Sequence, residues 1–216
     1  MDDSRIDSSE LKGLAPAGAG LPRGRALLLR YAAFPLLKRL VSFERALSHF
    51  EKEGRRAAAL CEGLSRERLF GRVMVPPLFG LEENSRYYSP AMVLMHLLIV
   101  GQALRERIPR LSRGERPDKE VRIEEYKPYT DIPEDIVKRY RRFVEGFRLT
   151  LLENLDDIHA PHRYEHPWFG PLNPKEWMVM GAIHQTVHRR QIEAILTHSG
   201  ASATQGTEKS KKKAVQ

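Results

Sequence analysis

The chain has 216 residues and a single cysteine, Cys61, which excludes any internal disulfide and suits a reducing, cytoplasmic setting. It also lacks the run of roughly 20 apolar residues that a membrane-spanning helix needs. The stretch from Ala26 to Leu37 is broken by Arg30 and Pro35, and the more apolar stretch from Met92 to Val100 carries His96 and is short. The first residues are acidic (Asp2, Asp3, Asp7), the wrong sign for the basic start of a secretory signal, so a soluble chain with no membrane partner is expected. No segment alternates apolar and polar residues between turn signals, which leaves strands as short pieces within connections. Charge of one sign is not gathered into a block either. The formal net charge of +8 is spread along the chain, as expected for a solvated face, and a small anionic ligand, acidic lipid or nucleic acid is not needed to explain it. Arg139, Arg141, Arg142, Arg189, Arg190 and the terminal lysines come without a helix-turn-helix, zinc-finger or stacking-aromatic pattern, so specific nucleic-acid binding is not expected.

What remains is helical. Residues 1–20 and 199–216 have no sustained period and read as a disordered start and a disordered basic tail, the latter carrying Lys209, Lys211, Lys212 and Lys213. Between them lies one domain, residues 21–198, long enough to bury a core. Four long helices are predicted within it. The first spans about Ser42 to Cys61, with Phe43, Leu47, Phe50, Gly54, Ala57 and Cys61 on one face, after a shorter piece kinked or ended by Pro35. The second opens with Ser89 as N-cap and Pro90 at the first helical position and runs to about Arg107. The third covers about Pro133 to Leu155, opened by Asp131 or a neighbour, with Ile136, Tyr140, Phe143, Val144, Phe147 and Leu151 at helical spacing. The fourth follows Asn173, Pro174 and Glu176, a capping-box spacing, and should end near His198 and Gly200. Four helices of similar length imply an all-α four-helix bundle. Two connections of roughly twenty residues exceed the usual span of about 2–8, so the loops are long enough to roof a site.

The fourth helix carries the chemistry. Trp177, Met180, Gly181, His184, His188, Gln191 and Ile195 share one face, which places two histidines where a soluble domain normally puts Leu or Ile. Residues at i and i+4 project side by side, close enough for two imidazoles to reach one ion. His96, in the middle of the apolar stripe of the second helix, is the candidate third ligand. Three neutral histidines leave coordination positions open, as catalytic metal sites do, and the set suits Zn, Ni, Fe or Co. Gln191, one turn beyond His188 on the same face, is placed to orient a ligand or bound water as a residue behind the ligand shell, although a helix-packing amide is the commoner role of such a residue. A lone buried histidine is usually a hydrogen-bonded core residue, but two on one apolar stripe would each need a separate polar partner there. A second cluster, His159, His162 and His166, falls in a polar, proline-punctuated loop where exposure is expected, and His49 lies off the stripe of its helix. Because ligand histidines must be neutral, metal affinity is expected to weaken as pH falls through about 6.5, the unperturbed histidine value.

At these residues the chain resembles a family. The run from His166 through Pro167, Trp168, Phe169, Gly170, Pro171 and Leu172, then Glu176 and Trp177, then Ile183 through Ile192, is similar to the C-terminal signature of the DinB-like (DinB/YfiT) superfamily. So is Tyr88-Ser89-Pro90 followed by His96-Leu97. The resemblance spans roughly Ser42 to His198 in layout, and its specific motifs lie in the two histidine-bearing segments. It implies a four-helix bundle in which one histidine of the second helix and two of the fourth bind a divalent metal, here His96, His184 and His188. Two positions depart from the family: Val187 stands where many relatives have a further histidine, and Tyr88 where tryptophan is common.

The family includes thiol-dependent transferases and isomerases, which implies a low-molecular-weight thiol as co-substrate and a small-molecule substrate. A cation that coordinates sulfur deprotonates it near neutral pH, so no protein base is required, and none is evident in the sequence. A metal-dependent hydrolase is the alternative and needs a proton acceptor. The residue after His184 is Gln185, not the Glu of a His-Glu-x-x-His peptidase. A non-enzymatic protein that binds metal or nucleic acid is the third reading. The sequence leaves open which metal and thiol serve and whether the protein is a homodimer.

Overall fold

The computed structural model describes residues 13–15, 23–115 and 120–213. The rest of the segment 1–20, for which disorder is expected, lies outside the described residues. The chain begins with a short helix α1 (Arg23–Leu28), a wider π turn (Leu29–Ala33) and α2 (Phe34–Leu40). Pro35 sits in the first turn of α2, where its missing N–H costs nothing, so it starts a helix instead of ending one. Then come α3 (Phe43–Cys61), the short α4 (Arg66–Phe70), a hairpin-like pair β1 (Val73–Met74) and β2 (Tyr87–Tyr88), and α5 (Pro90–Ser112). They are followed by α6 (Ile136–Glu153), an antiparallel pair β3 (Tyr164–His166) and β4 (Gly170–Leu172), and α7 (Pro174–Lys213). Among the described residues, strands are confined to these two small pairs in the connections.

Helix boundaries follow local chemistry. Ser42 caps α3 by accepting from the Arg45 N–H, and Ser89 caps α5 by accepting from the Met92 N–H. Asn173 and Glu176 form a reciprocal box at the start of α7: the Glu176 N–H donates to Asn173 Oδ1 (2.9 Å), and the Asn173 N–H donates to Glu176 Oε2 (3.1 Å). Three ends differ from the sequence reading. Helix α6 opens at Asp135, later than Asp131, and that cap makes no side-chain hydrogen bond. Helix α5 passes through Pro109 to Ser112, because Leu111 and Ile108 are wholly buried and packing outweighs one missing backbone bond. Helix α7 continues past His198 and Gly200 to Lys213. A glycine inside a helix costs only about 1 kcal/mol, and no proline follows to stop it.

Four helices, α3, α5, α6 and α7, enclose the core. Helix α3 packs mainly on α6 and α7, and so does α5, which makes α3 and α5 diagonal partners. The chain therefore crosses the bundle diagonal between α3 and α5 and again between α6 and α7, and the long connections accommodate those crossings. Phe50 stacks on Phe147 (4.2 Å between centroids), and Leu47, Leu94, Leu104, Tyr140, Phe147 and Trp177 are fully buried. At an apolar contribution of about 25 cal/mol per Å² removed from water, this core holds the bundle together without a staple. Several close approaches favour glycine, two of them beside the centre of the bundle. A Cβ on Gly101 of α5 would fall 2.5 Å from the Phe143 ring, and one on Gly181 of α7 would fall 2.7 Å from Leu104. Salt bridges lock the outer seams: Arg148 of α6 reaches Glu44 and Glu51 of α3, and Arg189 of α7 reaches the buried Glu53 of α3.

Candidate metal centre

Helix α5 presents His96 and the adjacent α7 presents His184 and His188, all toward the space between the two helices. His96 and His188 are buried and His184 is half-buried. Their outer nitrogens converge: His96 Nε2 lies 3.1 Å from His184 Nε2 and 3.1 Å from His188 Nε2. One nitrogen from each ring falls within 4.8 Å of the other two. Three nitrogens held at about 2.0–2.1 Å from one tetrahedral ion would be about 3.3 Å apart, and the two spacings from His96 Nε2 match that to a few tenths of an ångström. The convergence expected of these three residues is thus present.

Hydrogen bonds behind the rings determine which atoms face the centre. His96 Nδ1 lies 2.7 Å from the Tyr126 carbonyl, which can only accept, so Nδ1 carries the proton and Nε2 presents a lone pair. His188 Nδ1 lies 2.7 Å from Gln191 Oε1, while Gln191 Nε2 donates to the Ser85 carbonyl at 2.6 Å. That second bond fixes the amide orientation, so Oε1 must face His188, and His188 also turns a lone pair inward. Two lone pairs facing each other at 3.1 Å in a buried site repel unless a cation or a proton lies between them. Burial works against the proton. It holds His96 and His184 well below the ordinary histidine range and His188 down to about 4. A divalent metal ion fits this donor set.

Gln191 bonds the outer side of the His188 ring and is itself completely buried. The other partners come from the long loops. Ser85 belongs to the single turn Glu83–Arg86 and Tyr126 to the single turn Ile123–Tyr126. Buried Lys127 pairs with buried Glu82 and donates to Ser85 Oγ, which ties the two loops together over the centre. No spacing in the sequence links these residues to the histidines, because their contacts span 30 to 106 positions. Gln185 faces away from the centre and accepts a hydrogen bond from Tyr140.

A cavity of about 100 Å³ opens beside the three rings. Val100, Leu104, Met180 and Trp177 form its apolar wall, and Arg107, Tyr126 and His166 its far end. Trp177 is both a core residue and a wall. The second histidine cluster does not assemble: His159 and His162 are exposed as expected. His166 departs from that expectation. Strand β3 carries its ring against Trp177 (5.3 Å) and Phe169 (4.9 Å), and its Nδ1 accepts from the Trp168 N–H. Burial, helped by the Arg107 charge, pushes the His166 pKa down to about 3. Phe169 in turn stacks on Phe34 of α2 at 4.4 Å, which packs this loop on the bundle.

A model of the DinB superfamily matches residues 49–192, an interval that contains all three histidines. A solved structure titled as TT2238, a four-helix bundle protein, is 22% identical, with a TM-score of 0.49 over 70% of this chain and 98% of that one. No curated protein matches the chain. No described helix is long and apolar enough to cross a membrane.

Proposed function

The chain belongs to the DinB superfamily, and from that premise we propose that it is a metal-dependent thiol transferase acting on small molecules, with His96, His184 and His188 as ligands of a divalent transition metal. The observation that carries the metal is the pair of inward-facing lone pairs on His96 and His188, 3.1 Å apart and each held in its tautomer by a bond from behind. Bound there, such a metal supplies Lewis acidity that lowers the pKa of a coordinating thiol.

The residues themselves do the rest. His96 and His188 are kept neutral by burial and oriented by Tyr126 and Gln191. Val100, Leu104 and Met180 give the adjoining cavity an apolar wall. Glu82, the carboxylate among the residues that line the cavity, is engaged by Lys127. Gln185, at the position a metallopeptidase would use for its base, is bonded to Tyr140 on the far side of the helix. Among the described residues the carboxylate at the cavity is held by Lys127 and Gln185 by Tyr140, which supports chemistry that needs no protein base, and so thiol transfer over the hydrolase reading.

Elemental analysis of protein purified without an affinity tag, followed by cobalt substitution and a screen of low-molecular-weight thiols, tests the proposal. The expected result is one metal per chain and a thiol-dependent change in the cobalt absorption spectrum. Metal-dependent cleavage of an ester or amide with no spectral response to any thiol would replace the transferase with a hydrolase.

A further inference from the structure

Arg107 lies on the same face of α5 as His96, three helical turns along, and lines the far end of the cavity. It forms no ion pair with a carboxylate among the described residues. Its Nη2 donates to the Tyr126 hydroxyl (2.7 Å), and its guanidinium sits over the Trp177 ring at 4.6 Å and the Tyr164 ring at 5.3 Å. Two N–H groups here are buried with no acceptor: Arg107 Nε and Trp177 Nε1. Buried donors in folded proteins are nearly always satisfied, and an unsatisfied arginine donor beside an unsatisfied indole donor makes a site for an acceptor-rich, negatively charged group.

We propose that the cavity binds a ligand whose anionic end group, a carboxylate or its equivalent, accepts hydrogen bonds from Arg107 and Trp177, while its apolar middle lies against Val100, Leu104 and Met180. This rests on the three-histidine centre as the reactive end of the same cavity and adds the class of molecule admitted to it. Eleven residues of helix separate the Cα atoms of His96 and Arg107 by about 16 Å, and the arginine side chain leans back toward the N-terminus. The reactive group and the anion are then separated by roughly 10 Å, a length that an apolar tether of several methylenes covers.

The test uses the full chain, metal-free and cobalt-loaded, titrated calorimetrically with 6-mercaptohexanoate and with its uncharged counterpart 6-mercaptohexanol. The acid is expected to bind about tenfold or more tightly than the alcohol in both forms, as a charge-assisted hydrogen bond implies. Arg107→Gln should abolish that preference, lowering the acid's affinity at least tenfold more than the alcohol's. Trp177→Phe, which keeps the ring and removes the N–H, should reduce the preference in part and serves if the arginine variant does not fold. Equal affinity of the wild type for acid and alcohol, or a preference that survives both substitutions, overturns the proposal. If the acid preference holds while the cobalt spectrum ignores both thiols, the anion site stands and the thiol-transfer reading fails.

Discussion

At the scale of single residues, the centre depends on which ring nitrogen holds the proton. Gln191 settles this for His188 by accepting from Nδ1 while its own N–H donates to the Ser85 carbonyl. Gln191→Leu keeps most of the volume and removes both bonds. It is expected to weaken metal affinity by about 10- to 100-fold, read by competition with a chelator of known affinity. Proton competition keeps the expected direction, weakening binding as pH falls, but its midpoint is expected below the unperturbed value of about 6.5. Burial favours neutral imidazole, so the folded-state values, about 4 for His188 and about 3 for His166, lie below the unfolded value. As pH falls below about 6.5 the unfolded chain takes up protons that the folded chain refuses, and stability is lost between there and about 4 for His188 and about 3 for His166. The melting temperature of metal-free protein should therefore fall steadily on acidification from about pH 6.5 to 4. Metal should be retained below 6.5 and released nearer 4. Release centred on 6.5 would show that the folded rings titrate as in water.

At the scale of elements, local chemistry and packing make separate predictions. Asn173→Ala removes one half of the box that starts α7 and should cost about 1 kcal/mol in denaturant unfolding, with metal stoichiometry unchanged. Loss of metal in that variant would mean that the first turn of α7 positions the ligands directly. Two helical glycines should respond with opposite signs. Gly101→Ala pushes a methyl to 2.5 Å from Phe143 and should destabilise by about 1–3 kcal/mol. At Gly146 of α6 nothing lies within 4 Å of the added carbon, so Gly146→Ala should stabilise by about 0.5–1 kcal/mol, since alanine loses less backbone freedom. Thermal or chemical denaturation of the two variants side by side checks both signs.

For the molecule as a whole, the bundle is expected to fold without the proposed metal. The apolar core runs through all four long helices, so folding does not wait for an ion. A ligand that binds only the folded state adds stability by mass action, about 2.7 kcal/mol when present at a hundred times its dissociation constant. Chelation should lower the melting temperature by several degrees and leave far-ultraviolet circular dichroism nearly unchanged at room temperature. Collapse of the helical signal on chelation would make the metal a structural one.

The amino-acid order determined the helical class, the four long helices and the three histidines that meet. Those features repeat every three to four residues, and a period of that kind is visible along the chain. The Asn173 and Glu176 box and the Ser89 and Pro90 start were legible for the same reason, since each bond closes within a single turn. Only the tertiary structure decided the rest. Tyr126 and Ser85 reach the site from loops far away in sequence, Arg107 and Trp177 become neighbours only when α5 packs on α7, and His166 moves from an expected surface loop into the cavity wall. The ends of α5 and α7 also escaped the local signals, because burial of Ile108 and Leu111 outweighs a proline and a single glycine does not stop a helix. Contacts between segments far apart in sequence leave no period to read, and they are what place the polar groups around the histidines.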